Sequence, residues 1–230
     1  MPGPDIARQR SSRGLAGNPS TALRASGSGA IRRIGAVSGP MRISDLAIPG
    51  VKLVEPVLHR DERGYFMESF RQSAITEAGG PTAFFQDNHS LSTARFTVRG
   101  MHFQIPPHAQ AKLVRVVRGA VVDVAVDIRT GSPSFGRSIA IELSAENRRQ
   151  LLVPAGFAHG YCTLEPDTEV IYKVTAYYDP RAERGLAWDD PEVGIPWPAS
   201  AEAAILTERD RAWPRLREVA DFFPYSDWHD

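Results

Sequence analysis

The chain has 230 residues, enough for one well-buried domain, and its 27 basic and 27 acidic side chains cancel to no net charge. This balance argues against a general attraction to nucleic acid or to a membrane surface. No apolar run is long enough to span a bilayer or to act as a secretory signal, and a single cysteine, Cys162, excludes an intramolecular disulfide. We therefore expect a cytoplasmic globular protein.

Residues 1–40 differ from the rest of the chain. They are rich in Gly, Ser, Ala and Arg, with one acidic residue, six arginines and no aromatic residue. Such a segment cannot bury enough apolar surface to offset its loss of conformational entropy. A disordered extension, a start codon placed too far upstream and a targeting arm all fit this composition, and we favour the first two. The predicted domain covers residues 41–230 and ends in a helical tail.

From Met41 onward, short apolar runs alternate with Gly, Pro, Asp and Asn, a pattern typical of strands and turns. Strands are predicted over residues 53–59, 65–70, 111–118, 120–128, 137–143, 150–153, 160–164 and 169–177. Gly119 between two of these runs predicts a hairpin. Helical patterns are weak and confined to residues 72–78 and 199–209. Many short strands without long alternating helices indicate an all-β sandwich or barrel.

Three side chains on separate predicted strands suit proton transfer next to a carbonyl group. They are an imidazole, an ammonium group and a phenol: His102, Lys112 and Tyr172. Strand alternation places Lys112 and Tyr172 each on the same face as two valines, so Tyr172 is expected to point inward and Lys112 either into a pocket or toward its rim. Either one taken alone is more often a structural side chain, with its polar atom satisfied, than a catalytic one.

Asp123 and Asp127 lie on the opposite face of their strand from its valines. A carboxylate inside a barrel needs a cationic partner, which Lys112 or His159 could supply. A metal site is the weaker interpretation, because barrels that bind metals commonly place histidines two apart on one strand. Neither position two residues from His102 is a histidine.

Eight short motifs follow one another in order between about Met41 and Asp210. They are residues 61–69 (DERGYFMES), 86–90 (QDNHS), 98–104 (VRGMHFQ), 111–115 (AKLVR), 121–129 (VVDVAVDIR), 131–136 (GSPSFG), 143–147 (LSAEN) and 154–160 (PAGFAHG). Together they resemble the dTDP-4-dehydrorhamnose 3,5-epimerase family. The resemblance implies a cupin-type jelly-roll barrel, a homodimer and a dTDP-sugar substrate. It also implies a reaction without metal or cofactor that inverts carbons 3 and 5 of dTDP-4-keto-6-deoxyglucose.

The resemblance also assigns roles to individual positions. By motif, His102 matches the catalytic base, Asp210 the acid that orients it, Tyr172 the opposing proton donor and Lys112 the cation beside the 4-keto oxygen. Tyr178 matches a residue that stacks on thymine. The substrate-binding positions of the family correspond to Arg63, Glu68, Gln86, Asp87, Asn88, Arg99, His159, Glu183 and Arg209. Arg209 stands where the family commonly has lysine, which keeps the charge but changes the geometry.

The chemistry of these residues agrees with that assignment. A proton next to a ketone becomes removable when a nearby cation stabilises the enolate oxygen, and an imidazole can accept it near neutral pH. Two alternatives stay open: an enzyme that epimerises one carbon only, or isomerises the ketone, in antibiotic deoxysugar synthesis; and a non-catalytic barrel that binds sugar nucleotides. The intact His102, Lys112, Tyr172 and Asp210 argue against the non-catalytic barrel. The first alternative depends on fine placement of the proton donor, which a sequence does not fix.

Overall fold

A computed structural model describes residues 39–220 and 222–225. The predicted N-terminal extension lies almost entirely outside the described residues, as does the end of the predicted domain, residues 226–230. Both boundaries therefore stay predictions, although the first strand does begin at Met41. Within the described ranges, no helix combines the length and the apolar character needed to cross a membrane.

The described residues form thirteen strands, two short α-helices and one 3-10 helix. The strands are β1 (Met41–Asp45), β2 (Lys52–Pro56), β3 (Leu58–Asp61), β4 (Gly64–Met67), β5 (Gln86–Ser92), β6 (Val98–Gln104), β7 (Lys112–Arg118), β8 (Ala120–Asp127), β9 (Ser138–Ser144), β10 (Gln150–Val153), β11 (Phe157–Thr163), β12 (Thr168–Val174) and β13 (Glu183–Gly185). The helices are α1 (Gln72–Glu77), α2 (Glu208–Arg211) and the 3-10 helix Leu216–Glu218.

Two antiparallel sheets pack face to face and enclose the main core. The larger has the order β1-β2-β10-β7-β12-β5, and the smaller has the order β13-β6-β11-β8-β9. Val114 and Val170 from the larger sheet meet Ala125 and Tyr161 from the smaller one in this core. Burying a side chain of this size stabilises the fold by about 1.5–3 kcal/mol. The arrangement confirms the predicted all-β, jelly-roll class.

The predicted hairpin around Gly119 is wrong, although both of its strands are present. β7 pairs with β10 and β12 in the larger sheet, whereas β8 pairs with β9 and β11 in the smaller sheet. Gly119 has a φ of 74°, and the side chain of Thr168 occupies the space that a Cβ would need. The one-residue connection is therefore a corner that carries the chain from one sheet to the other.

The predicted helix over residues 199–209 is also wrong in extent, since only Glu208–Arg211 is helical. Residues 200–204 form a turn, and Ile205 exchanges backbone hydrogen bonds with Phe96 and Val98, which ties it beside the start of β6 in place of a helix. Thr207 then caps α2 by accepting a hydrogen bond from the backbone N–H of Asp210 at 3.1 Å. The other predicted helix, residues 72–78, is confirmed as α1.

The outer face of the smaller sheet is covered by the segment that follows β13. Leu186, Leu216 and Phe223 from this segment pack against Met101 and Phe103 of β6. β6 is therefore supported from behind by a second buried cluster. That support matters for the site, because β6 carries His102.

A buried carboxylate also anchors the turn after β8. Asp127 accepts hydrogen bonds from the guanidinium of Arg129 at 2.8–2.9 Å and from the hydroxyls of Ser132 and Ser134, both at 2.7 Å. Burial raises the pKa of Asp127, but these hydrogen bonds together outweigh burial and hold the pKa below its ordinary value. The turn that follows β8 is thus fixed from inside the barrel.

Candidate active site

A polar cavity opens between the two sheets and has two compartments. The smaller is about 100 Å³ and the larger about 280 Å³. Both are lined by His102, Lys112, Tyr172, Tyr178 and Glu183. The three side chains predicted to move protons therefore meet where the compartments join.

An irregularity in the pairing of β6 with β11 brings Arg99 and His102 to the same cavity. Residues three apart on a regular strand point to opposite faces of the sheet. Here His102 pairs with His159 and Arg99 with Tyr161, so two residues of β6 stand opposite the single residue Gly160. A bulge of this kind re-aims one side chain, and Arg99 and His102 both line the larger compartment.

His102 is held from two sides. Its Nε2 lies 2.7 Å from Oδ1 of Asp210, which comes from α2, and the Trp213 ring packs edge-on at 6.1 Å between ring centres. Burial raises the pKa of Asp210, but the hydrogen bond and charge of His102, with smaller contributions from Trp213 and Arg209, hold it below its ordinary value. Asp210 therefore stays a carboxylate, fixes Nε2 as the donor nitrogen and leaves Nδ1 of His102 to act as a base.

Lys112 is a buried ammonium group at the start of β7. Its side chain shares a face with Val114, as alternation predicted, and its Nζ donates to the backbone carbonyl of His102 at 3.1 Å. Burial lowers the pKa of Lys112 to about 8, while the charges of Asp123 and Glu183 oppose that fall. Lys112 is thus a cation at neutral pH, poised next to the base.

Two phenols line the larger compartment from facing sheets. Tyr172 on β12 packs beside Val170, as predicted, and Tyr161 on β11 lies 2.8 Å from the Ser90 hydroxyl. Burial raises the pKa of both phenols, so each keeps its proton at neutral pH. Tyr172 and His102 belong to opposite sheets, which allows one to give a proton and the other to take one on opposite sides of a bound ring.

His159 lies directly across from His102 in the β6–β11 pair and is buried. Its Nε2 lies 2.6 Å from Oδ1 of Asp123, so His159 is the hydrogen-bond partner of that inward carboxylate, although not as the cation that the sequence led us to expect. Burial lowers the pKa of His159, although the Asp123 charge opposes this change. A neutral imidazole with Nε2 bound to Asp123 leaves only Nδ1 for a ligand.

A chain of hydrogen bonds crosses the mouth of the cavity. Glu183 on β13 accepts from the Tyr178 hydroxyl at 2.8 Å and from the Arg209 guanidinium at 2.7 Å. The bond to Glu183 raises the pKa of Tyr178. Gln86 accepts from the backbone N–H of Tyr178 at 3.0 Å and donates to Asn88 at 2.8 Å. These contacts fix the half-exposed Tyr178 ring at the entrance.

Three residues that the sequence analysis assigned to substrate binding do not line the cavity of their own chain. Asp87 points to the other face of β5 and pairs with Lys173 at 2.9 Å. Arg63 is 85% exposed in the β3–β4 turn and pairs with Asp61, and Glu68 pairs with Arg71. Their roles, like those of the residues that do line the cavity, stay predictions.

The cavity also contains residues that the sequence analysis did not single out. They are Ser90, Phe103, Gln104, Gln110, Tyr161 and Thr207. Ser90 and Tyr161 stand two positions after Asn88 and His159 on the same strand faces, so alternation could have found them. Gln104 pins the loop that carries Tyr178, since its side chain binds the backbone of His108, Tyr177 and Asp179.

The arrangement brings an imidazole, a phenol and an ammonium group together in one cavity, with the guanidinium groups of Arg99 and Arg209 in the same lining. Such a set can move protons at a carbon next to a carbonyl group while holding a diphosphate. In the part of the chain that the structure describes, no three His, Cys, Asp or Glu side chains are grouped as metal ligands.

Known proteins share both the sequence and the fold. The sequence model of the dTDP-4-dehydrorhamnose 3,5-epimerase family matches residues 45–218. A dTDP-4-dehydrorhamnose 3,5-epimerase from Sinorhizobium fredii is 50% identical over 185 residues, which make up 80% of this chain and 94% of that protein.

Two solved structures have closely similar folds. A dTDP-6-deoxy-D-glucose-3,5-epimerase from Legionella pneumophila, in complex with dTDP-4-keto-L-rhamnose, is 41% identical with a TM-score of 0.75, and the match covers 80% of this chain and 97% of that chain. A 3'-monoepimerase from Streptomyces bikiniensis, in complex with dTDP-quinovose, is 35% identical with a TM-score of 0.74, covering 80% and 93%.

Proposed function

The chain belongs to the dTDP-4-dehydrorhamnose 3,5-epimerase family, and we propose that its cavity inverts carbons 3 and 5 of dTDP-4-keto-6-deoxyglucose to give dTDP-4-keto-L-rhamnose. The protein is accordingly an isomerase of dTDP-L-rhamnose biosynthesis. The observation that carries the residue assignment is the His102–Asp210 pair, which faces a cavity shared with Lys112 and Tyr172.

The reaction takes place in two similar steps. Nδ1 of His102 removes the proton from carbon 3 or carbon 5, and the electron pair moves onto the 4-keto oxygen, where the Lys112 ammonium stabilises the enolate. Tyr172 then delivers a proton to the opposite face of the same carbon, which inverts it. Solvent then takes the extra proton from His102 and returns a proton to Tyr172, and the same groups act on the second carbon.

The rest of the substrate is held by the remaining cavity residues. Arg99 and Arg209 are placed to bind the diphosphate, because a guanidinium matches a phosphate oxygen pair. Tyr178 at the mouth offers a ring face to the thymine. Gln86, Asn88, His159 and Glu183 supply polar contacts to the sugars. This binding places a carbon–hydrogen bond next to His102 for long enough to react.

The test follows label from deuterated water into the sugar. Incubation of the wild type with dTDP-4-keto-6-deoxyglucose should place deuterium at both carbons, whereas His102→Asn should lower exchange at each by about 10²- to 10⁴-fold. Asp210→Asn should slow exchange at least about tenfold, because the amide no longer fixes the donor nitrogen of His102. Exchange near the wild-type rate in folded His102→Asn would place the base elsewhere.

The same experiment distinguishes double epimerisation from the two alternative functions. A single-site epimerase would label one carbon only, and the likeness to a 3'-monoepimerase shows that the fold also serves that reaction in another protein. A non-catalytic barrel would label neither carbon while still binding the nucleotide.

We further propose that the protein is a cytoplasmic homodimer. The β3–β4 hairpin forms a sheet of its own, and its Tyr65 and Phe66 rings are 48% and 70% exposed. Contact with the cavity mouth of a second copy would cover these rings and bring Arg63 and Glu68 to that copy's substrate. The cytoplasmic location is supported by the lone cysteine, Cys162, which is buried and unpaired in the described structure.

A further inference from the structure

Asp123 is a fully buried carboxylate on β8 that stands behind the cavity rather than in its wall. Its Oδ1 is bound to Nε2 of His159 at 2.6 Å. Its Oδ2 is equally buried, and among residues 39–220 and 222–225 it has no hydrogen-bond partner. One oxygen of a buried charge is thus satisfied by hydrogen bonding and the other is not, which is costly unless a positive charge lies close by.

Lys112 is the buried cation of the same region. Its neighbours in the fold are two acids, Asp123 on β8 and Glu183 on β13, together with His102 on β6, His159 on β11 and Tyr172 on β12. Burial favours loss of the Lys112 proton, and of the two acids Asp123 opposes that loss more strongly. His159 is neutral at pH 7 and the Tyr172 hydroxyl keeps its proton, so neither replaces the carboxylate charge.

We propose that Asp123 is a positioning residue for this reaction. It lies behind the cavity and does not touch the substrate. From there it keeps Lys112 an ammonium ion and holds His159 with Nδ1 toward the ligand. The geometry that supports this role is the complete burial of Asp123, its free second oxygen, and its bond to His159, which lines the same compartment as Lys112. The inference rests on the proposed role of Lys112 beside the 4-keto oxygen.

The pKa of Lys112 should therefore depend on the charge of Asp123. With Asp123 replaced by neutral Asn, burial acts on Lys112 with one less opposing charge, so its pKa falls below about 8. A fall of the pKa by one to two would lower the ammonium fraction at pH 7.5 by roughly 3- to 25-fold. The alkaline limb of kcat/KM should move to lower pH by the same amount, which a merely structural role for Asp123 would not produce.

The sequence offers a direct measurement, because it contains three lysines, Lys52, Lys112 and Lys173. Protein labelled with ¹³C-lysine gives three side-chain NMR signals, and Lys112→Arg identifies that of Lys112. We expect Lys112 to titrate near pH 8 in the wild type and one to two units lower in Asp123→Asn. Lys52 and Lys173 serve as internal references, since their partners Asp45 and Asp87 are unchanged.

Asp127→Asn is the matched control, because Asp127 is an equally buried carboxylate on the same strand that pairs with Arg129 instead. It should leave the titration of Lys112 unchanged. An unchanged Lys112 titration in folded Asp123→Asn overturns the proposal. Since this readout needs no turnover, it tests the coupling of Asp123 to Lys112 separately from the proposed function, which a wild type without epimerase activity would refute.

A variant that does not fold still gives an answer. If Asp123→Asn fails to fold, adding Lys112→Met should restore folding, because the second change removes the uncompensated cation. If the double variant also fails while Lys112→Met alone folds, the coupling between Asp123 and Lys112 is absent and the proposal falls.

Discussion

His102 and Tyr172 reach the cavity from opposite sheets, so the loss of each should cause a different failure. Tyr172→Phe keeps the ring packed beside Val170 but removes the hydroxyl. Because His102 and Lys112 still form the enolate, deuterium should enter the sugar within about tenfold of the wild-type rate. Inversion should fall by about 10²- to 10⁴-fold, since the opposing acid is missing.

Label incorporation and product stereochemistry are measured in the same tube. His102→Asn is the comparison, and it should show neither exchange nor inversion. Normal inversion by Tyr172→Phe would mean that another acid serves the second face. Tyr161 is the neighbouring phenol that would then be tested, because it lines the same compartment.

The buried charge of Lys112 should lower the stability of the fold and support catalysis. Its pKa of about 8 in the folded protein lies below the unfolded value of about 10.5, so the fold disfavours its charge. Lys112→Met combined with Asp123→Asn removes this cost without leaving a lone buried carboxylate, so the double variant should raise the free energy of unfolding at pH 7 by on the order of 1–3 kcal/mol and lower kcat by roughly 10²- to 10³-fold. Denaturant unfolding and steady-state kinetics check both values.

The pH dependence of that stability has a definite sign. Between about pH 8 and pH 10.5 the folded state has released the Lys112 proton while the unfolded chain still holds it. The wild type should therefore gain stability from this group as pH rises through the window, and Lys112→Met should lack the gain. A difference between the two proteins that does not vary with pH would contradict the assigned burial of the charge.

Among the elements, the β6–β11 pair determines where the reactive groups point. Gly100 and Gly160 let the two backbones approach closely, since a Cβ on Gly160 would lie 2.7 Å from the Arg99 carbonyl oxygen and 2.7 Å from the Met101 sulfur. Gly160→Ala should push β6 outward, destabilise the protein by about 1–3 kcal/mol and reduce kcat/KM by more than tenfold.

Gly79→Ala is the control that separates the loss of stability from the loss of kcat/KM expected for Gly160→Ala. Gly79 lies just after α1 with a φ of 77°, and no atom lies within 4 Å of the position that a Cβ would take there. The substitution should lower stability by about 1–2 kcal/mol through backbone strain and leave kcat/KM unchanged. A Gly160→Ala protein with normal kcat/KM would show that the close contact does not position His102.

For the whole molecule, the β3–β4 hairpin provides the test of assembly. If its exposed rings contact a second copy, Phe66→Ser should weaken the dimer by about 10- to 100-fold, the value expected for exposing one buried aromatic side chain. KM should rise as the dimer weakens, because Arg63 and Glu68 would no longer reach the cavity of the second copy. Sedimentation velocity across a concentration series, with kinetics at the same concentrations, measures both effects.

Phe135→Ser is the control, because Phe135 is an exposed ring, 43% accessible, in the turn after β8. It should change neither the oligomeric state nor KM. A Phe66→Ser protein that sediments like the wild type would exclude the hairpin as the contact, and a monomeric wild type would exclude the dimer itself.

The sequence by itself determined the class of fold and the chemistry of the site. Alternation of apolar and polar residues is a local property, so it correctly placed Lys112 and Tyr172 on the same face as the valines of their strands. It also predicted a partner for the inward Asp123, which the structure shows to be His159. Ordered motifs indicated the family, because residues that carry one reaction are constrained together.

Only the tertiary structure decided how these pieces meet. Gly119 looked like a hairpin turn, yet the strands on either side pair with others far along the chain. Arg99 and His102 share a cavity because a bulge shifts the register of β6, and Asp210 reaches His102 from 108 residues away. Strand pairing and register depend on contacts between distant segments, and the free energy of those contacts is not contained in any local pattern.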